Sequence, residues 1–338
     1  MSQILEVENL SVSFFTADGN VQAVDELSFE LKAGETLAIV GESGSGKSVT
    51  AAAIMGLLSA TNVSVAGSIR IENKEILNDK SSSIRQLRGK DVAMVFQDPL
   101  SALNPYYTVG DQIGEAFKTH HPKASKEEVK SKVLEVMKKV GIPEVEKRID
   151  SYPHEFSGGM RQRVVIAIAL VNDPKILIAD EPTTALDVTV QAQILDLMRE
   201  LQKQSNTAII LITHDLGVVA EMVDRVLVMY AGRAVEVSDV FSVFENPLHP
   251  YTKGLLNAVR SLDTEVHSKL TTIPGTPPSL LNIPNGCSFN PRCSYTKWVG
   301  EKCKSEKPNL LQIGKNYSAC HLTKDQIVEM NKESAVVQ

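Results

Sequence analysis

Eight residues, Gly41-Glu42-Ser43-Gly44-Ser45-Gly46-Lys47-Ser48, separate the apolar tetrapeptide Leu37-Ala38-Ile39-Val40 from the stretch 49–58. The order is a short buried strand, a glycine-rich turn and a helix. It fits the phosphate-loop pattern in the context that the pattern requires. The glycines let successive backbone N–H groups turn inward around the β- and γ-phosphates of a nucleotide, and the helix N-terminus adds positive potential. Lys47 is placed to neutralise phosphate charge, and Ser48 to offer its hydroxyl to Mg²⁺.

Around this element the chain reads as mixed α/β. Residues 4–14 and 21–30 alternate roughly as strands, with Ala17-Asp18-Gly19-Asn20 as the turn between them. Residues 67–77 suggest a further strand. Ser125-Lys126-Glu127-Glu128 has capping-box spacing, and Val129, Val133, Val136 and Val140 then recur at helical spacing until Gly141-Ile142-Pro143. The span from about 100 to 160 is therefore expected to be a helical insertion. Ile176–Ala179 and Ala208–Ile212 are continuous apolar runs, as parallel strands covered on both faces should be. Between them, residues 188–203 predict a helix with Val190, Ile194, Leu197 and Leu201 on one side.

Four further segments acquire meaning beside the phosphate loop. Asp180 ends an apolar strand, where a carboxylate can hold Mg²⁺, and Glu181 follows directly, where it can polarise an attacking water. Gln97 follows the apolar stretch Val92–Phe96. A lone glutamine there is usually a surface amide, but in this company its amide can coordinate Mg²⁺ or water. His214 ends the next predicted parallel strand after Asp180, and ligand sites in such sheets lie at the carboxyl ends of strands. Ser157-Gly158-Gly159 opens a helix and makes a second anion cradle. One nucleotide needs one cradle of this kind, so the second makes sense when it serves the nucleotide of another chain.

Composition narrows the setting. The net charge is −6 over 338 residues, which disfavours a general nucleic-acid-binding surface. No apolar run approaches the roughly 18–20 residues that span a bilayer, and Met1–Glu6 lacks the pattern of a signal peptide. A cytoplasmic protein is expected, one that reaches a membrane through partners. After about residue 245 prolines crowd in, and all four cysteines, Cys287, Cys293, Cys303 and Cys320, lie in this last part. The reading divides the chain into a nucleotide-binding domain at 1–245 and an extension at 246–338 with little core of its own and a frayed tail. Cytosolic thiols confined to one segment suggest metal ligation more than disulfides. Their spacing leaves Zn²⁺ and an iron–sulfur cluster both open, with His321 as a further candidate ligand. Four unligated thiols remain the plain alternative.

Taken in order, the segments Gly41–Ser48, Phe96-Gln97-Asp98, Phe156-Ser157-Gly158-Gly159-Met160, Ile176–Glu181 and Ile212-Thr213-His214-Asp215 resemble the nucleotide-binding subunits of ABC transporters over essentially the whole chain. They look like the Walker A, Q-loop, signature, Walker B and H-loop motifs, and Ala185-Leu186-Asp187 looks like the D-loop. The signature departs from the commonest form at Met160, while its Ser-Gly-Gly part is intact. The segments Phe96–Pro105, Phe156–Arg163, His249-Pro250-Tyr251-Thr252, Gly286–Phe289 and Pro291-Arg292-Cys293 are similar to the ATPases of oligopeptide, dipeptide and nickel importers.

That resemblance implies a parallel α/β core with an antiparallel β-subdomain, a helical subdomain and a small cysteine-rich extension. It implies ATP held by Phe14 (Phe15 less well placed), Gly41, Ser43, Gly44, Ser45, Gly46, Lys47, Ser48 and Val49, with Mg²⁺ on Ser48, Gln97 and Asp180. Glu181, His214 and Gln97 are the catalytic set. Ser157, Gly158, Gly159 and Asp187 would act on the nucleotide of a second, homologous ATPase subunit. The implied partners are two membrane-spanning permease subunits fed by an extracytoplasmic binding protein, at the cytoplasmic face of a bacterial membrane. Importers of this group with four cysteines in the extension resemble those carrying a 4Fe–4S cluster, so the resemblance favours a cluster over zinc at Cys287, Cys293, Cys303 and Cys320. The imported ligand is expected to be a peptide, with nickel as the alternative. A soluble ABC ATPase of translation or DNA repair fits less well, because this chain has one cassette, a C-terminal cysteine group and an acidic balance. Glu181 and His214 argue against a non-catalytic regulatory module.

Overall fold

The computed structural model describes residues 2–58, 61–78, 83–184, 186–260 and 272–333. Ala185 of the expected D-loop and residues 334–338 lie outside them. The earlier part of the last dozen residues, expected as a frayed tail, instead ends the helix Lys324–Glu333, whose Ile327 and Met330 are buried. In chain order the strands are β1 (Gln3–Thr16), β2 (Gly19–Lys32), β3 (Thr36–Val40), β4 (Val63–Ile71), β5 (Lys74–Glu75) and β6 (Val92–Val95). They continue as β7 (Ile176–Asp180), β8 (Ala208–Thr213), β9 (Arg225–Tyr230), β10 (Arg233–Asp239), β11 (Leu311–Ile313) and β12 (Asn316–Ser318). An antiparallel sheet of order β2-β1-β4-β5 packs against a larger sheet of order β11-β12-β10-β9-β3-β8-β7-β6. Within the larger sheet, β6, β7, β8, β3 and β9 run parallel.

Side-chain alternation along the parallel strands feeds two cores. Leu37, Ile39, Ile176, Ile178, Ile210 and Ile212 face the antiparallel sheet, where they join Leu5, Val7, Leu27 and Ile69. Ala38, Val40, Leu177, Ala179, Ile209 and Leu211 face the other way, toward Ile113, Val133, Val164 and Met198 on helices. Every residue of β3, β7 and β8 is buried. Each fully buried Leu or Ile contributes about 1.5–3 kcal/mol, so burial on both faces outweighs the weak intrinsic preference of so short a strand.

The insertion is helical, with main helices at Val109–His120 and Lys126–Lys139. Ser125 and Glu128 form the reciprocal capping box, and Val133, Val136 and Val140 are buried. Gly141 ends this helix with φ +73°, a conformation that favours glycine. The helix expected at 188–203 spans Val188–Ser205 and buries Ile194, Leu197 and Leu201. Among the described residues no helix is long and apolar enough to cross a membrane.

The C-terminal part is built differently from the expected loop-rich appendage. Its β11–β12 hairpin extends the main sheet, pairing Glu236 with Ser318 and Val237 with Tyr317. Leu248, Leu322, Ile327 and Met330 form a small core of their own, with Tyr295, Trp298 and Cys320 packed against it. The physical reason is the free edge of β10, whose unpaired N–H and C=O groups accept even a three-residue strand. Strands β9 and β10 went unanticipated, although Val226–Tyr230 is a continuous apolar run.

Candidate active site

The carboxyl ends of four parallel strands converge on one side of the main sheet. There β3 delivers Gly41, β6 is followed by Gln97, β7 ends in Asp180 before Glu181, and β8 is followed by His214. This is where the expected site residues fall, and it is the end at which open parallel sheets bind ligands.

The loop between β3 and the helix Lys47–Ile54 depends on two glycines. A Cβ at Gly41 would lie 2.2 Å from the Met229 carbonyl oxygen, and one at Gly46 would lie 2.4 Å from that of Ala23. Both have positive φ, +153° and +103°. Lys47 is buried and donates from Nζ to the carbonyls of Gly41 (2.8 Å) and Glu42 (2.9 Å). Burial holds its pKa below the usual lysine range, opposed by Glu181, Asp180 and Glu42. Ser43, Gly44 and Ser48 are exposed, Ser45 and Gly46 are buried, and Val49 packs partly against the antiparallel-sheet core. Phe14 also packs against that core, whereas Phe15 keeps 53% of its surface free.

Asp180 is buried, and its Oδ1 has no hydrogen-bond partner among the described residues. Burial raises its pKa, and a hydrogen bond with Ser48 opposes the rise. An orphaned carboxylate oxygen beside a hydroxyl suits a hard, oxygen-seeking dication, so these residues fit Mg²⁺.

Glu181 is the hub of the site. Its Oε2 accepts from Gln97 Nε2 at 2.8 Å and from the Thr184 hydroxyl at 2.9 Å. Its Oε1 stands 3.1 Å from His214 Nδ1. Two residues predicted separately from sequence, Gln97 and His214, thus meet on the carboxylate of a third. Burial pushes its pKa up, but Thr184, His214 and Lys47 outweigh that, and the group is held below the ordinary glutamate value. It is therefore ionised at neutral pH and able to accept a proton. Thr184 was not anticipated; its position three residues after Glu181 was the available signal.

Ser157, Gly158 and Gly159 lie apart from this hub. Ser157 caps the helix Gly158–Leu170, accepting from Met160 N at 3.4 Å. A Cβ at Gly159 would meet Val190 at 2.5 Å, while one at Gly158 would meet nothing within 4 Å. Ser157 and Gly158 are exposed, and among the described residues no hydrogen bond joins them to the phosphate loop. Asp187 caps the helix Val188–Ser205 through Val190 N at 2.9 Å.

The four cysteines are unpaired. Burial pushes the Cys287 thiol up to about 11 and the Cys320 thiol up to about 12, and raises those of Cys293 and Cys303. The Cys287 N–H donates to the Cys303 carbonyl at 2.9 Å, which brings those two residues together. Among the described residues, no three His, Cys, Asp or Glu side chains stand close enough to hold one metal ion. His321 Nε2 is engaged by the Glu306 carbonyl at 2.8 Å instead.

Comparison with known proteins agrees with this geometry. Residues 24–184 match the family described as ABC transporter, and residues 235–303 match the oligopeptide/dipeptide transporter C-terminal region. The chain is 55% identical over 305 residues to the oligopeptide transport ATP-binding protein OppD of Salmonella typhimurium, covering 90% of this chain and 89% of that one. It is 54% identical over 294 residues to the dipeptide transport ATP-binding protein DppD of Bacillus subtilis, covering 87% of each. Among solved structures, the dimeric ATP-binding cassette MJ0796 in a post-hydrolysis state with ADP and Pi is similar with a TM-score of 0.63 at 27% identity, over 70% of this chain and 99% of that one. A phosphate loop, a hydrogen-bonded glutamate hub and a relative this close over nine-tenths of the sequence lead to one assignment: the chain belongs to the ATP-binding subunits of the oligopeptide/dipeptide ABC transporters and is an ABC-type ATPase.

Proposed function

We propose that this chain hydrolyses ATP to drive peptide import through membrane-spanning permease subunits. The observation that carries the reading is the Glu181 carboxylate, ionised and oriented by Gln97, Thr184 and His214. Glu181 acts as the general base toward water, and His214 and Gln97 hold that water and the γ-phosphate. Lys47 and the backbone of Gly41–Ser48, with Val49, cradle the phosphates, and Phe14 offers the aromatic surface for adenine. Ser48, Asp180 and Gln97 would hold Mg²⁺, which neutralises phosphate charge. Ser157, Gly158, Gly159 and Asp187 complete the site of a second, homologous ATPase subunit. The exposure of Ser157 and Gly158 and the dimeric state of MJ0796 support this. Such a dimer works by binding ATP more tightly when closed than when open, and that difference moves the permeases. The chain then sits at the cytoplasmic face of the membrane, with 1–245 as the cassette and 246–338 as the extension. A binding protein outside the cell supplies the peptide.

The test is the split between binding and turnover. Glu181→Gln keeps ATP affinity and lowers the hydrolysis rate by roughly 10²–10⁴, the range of a general base. Turnover near that of the unaltered protein refutes the assignment.

Cys287, Cys293, Cys303 and Cys320 are proposed to hold a 4Fe–4S cluster. The support is the confinement of all four thiols to the C-terminal part, where the Cys287 N–H donates to the Cys303 carbonyl at 2.9 Å. Anaerobically purified protein is expected to carry about four iron and four acid-labile sulfide per chain. One zinc and no sulfide contradicts the cluster.

A further inference from the structure

Glu42, inside the phosphate loop, is gripped from three directions. Its carbonyl accepts from Lys47 Nζ at 2.9 Å. Its backbone N–H donates to the Tyr251 hydroxyl at 2.8 Å. Its carboxylate accepts both arms of the Arg292 guanidinium, at 2.6 and 3.0 Å. Tyr251 and Arg292 both belong to the C-terminal part, 209 and 250 residues away in sequence.

Neither is a loose surface contact. Arg292 is 7% exposed, and its Nε donates to the Pro274 carbonyl at 2.9 Å while Nη1 reaches the Tyr230 hydroxyl at 3.4 Å. Tyr251 is fully buried against the rings of Tyr230 and Phe289, with centroids at 4.7 and 5.3 Å. The same region reaches the mouth of the site. Pro277, Pro278 and Leu280 face Glu42–Ser45 across a cleft of about 290 Å³. A fork-to-fork guanidinium–carboxylate pair fixes direction as well as distance. Arg292 is buried while the Glu42 side chain is 28% exposed, so removing Glu42 leaves a buried guanidinium charge uncompensated.

Resting on the ATPase reading above, we propose that Tyr251 and Arg292 are positioning residues for ATP: they brace the phosphate loop through Glu42, so the C-terminal part sets how tightly this chain holds nucleotide. A loop already in its binding shape spends less of its binding energy on ordering. Neither Arg292 nor Tyr251 hydrogen-bonds to Gln97, Glu181 or His214, the groups that face the water. Loss of the brace therefore acts on ATP affinity and leaves the chemical step in place.

The experiment is ATP titration of the full chain by calorimetry, with KM and kcat measured on the assembled transporter. Arg292→Ala and Glu42→Gln each weaken ATP binding by about tenfold, the loss of one charged hydrogen-bonded pair. The double variant is no weaker than either single one, because both changes break the same contact. Arg292→Lys recovers part of the affinity, since an ammonium supplies charge without the fork. Tyr251→Phe removes one hydroxyl and weakens binding by a few-fold, and it carries the test with Glu42→Gln if Arg292→Ala fails to fold. KM rises while kcat stays within about twofold in Arg292→Ala and Tyr251→Phe. Affinities within about twofold of the unaltered protein in both Arg292→Ala and Glu42→Gln overturn the brace, as does a double variant whose losses multiply. Failure of the unaltered chain to bind ATP refutes the ATPase reading instead, so the two failures are distinct.

Discussion

Glu181 sits at φ +47°, in the left-handed region, with its backbone N–H bonded to the Ile212 carbonyl at 2.9 Å. A non-glycine residue there stores of order 1–3 kcal/mol of strain, which the surrounding sheet must over-determine. That backbone setting was invisible in the sequence, whereas the residue's place after an apolar strand was readable. The glycines give the converse case. Their pattern was legible, and the structure supplies the reason at Gly46, where any side chain meets the Ala23 carbonyl. Gly46→Ala combines that clash with positive φ at a cost of about 1–3 kcal/mol, or roughly 5- to 150-fold in ATP affinity. Equilibrium binding of a fluorescent ATP analogue measures it, and a circular dichroism melt confirms that the variant is folded. Tyr251 and Arg292 illustrate what sequence withheld: each acts through a hydrogen bond to Glu42, 209 and 250 residues away, that no local pattern names.

Among elements, β3, β7 and β8 were legible because burial on both faces demands unbroken apolar runs, and β1 and β2 because one buried face imposes alternation. The β11–β12 hairpin was not, since three residues per strand carry almost no period. The turn after β10 holds a further consequence. His249 is fully buried at the head of the helix Pro250–Arg260, accepting on Nδ1 from Tyr251 N, and burial pushes its pKa down to about 3. The folded state keeps this ring neutral while the unfolded chain protonates it near 6.5. The stability it contributes is present above 6.5 and is lost as pH falls toward 3, at up to about 1.4 kcal/mol per pH unit. The neighbouring Glu236, raised to about 7 by burial, works in the opposite sense: its favourable state lies below 4.5 and is lost as pH rises through 7. Comparing variants cancels that shared background. Urea unfolding at pH 7 and pH 5 should show a smaller loss on acidification in His249→Gln than in the unaltered protein. Equal losses contradict the assignment.

At the scale of the whole molecule, the chain presents one finished half of a site and one cradle facing outward. The order of motifs in the sequence already implied a partner, because a second anion cradle had no use within one chain. Ser157→Arg places a long cation in that cradle. It should abolish ATP-dependent crosslinking between the two ATPase subunits while leaving ATP affinity at Lys47 within about twofold, since Ser157 forms no hydrogen bond to its own phosphate loop. Crosslinking that persists unchanged contradicts the shared site. The C-terminal part, read from sequence as a separate extension, instead shares the main sheet and grips Glu42, which long-range contacts alone could reveal. The most direct measurement of the central claim is ATP-driven uptake of a labelled oligopeptide by the assembled transporter in sealed vesicles, with ATP on the side of this subunit. The account predicts uptake that requires ATP and is lost in Glu181→Gln while that variant still binds nucleotide; undiminished uptake in Glu181→Gln, or uptake indifferent to ATP, would contradict it.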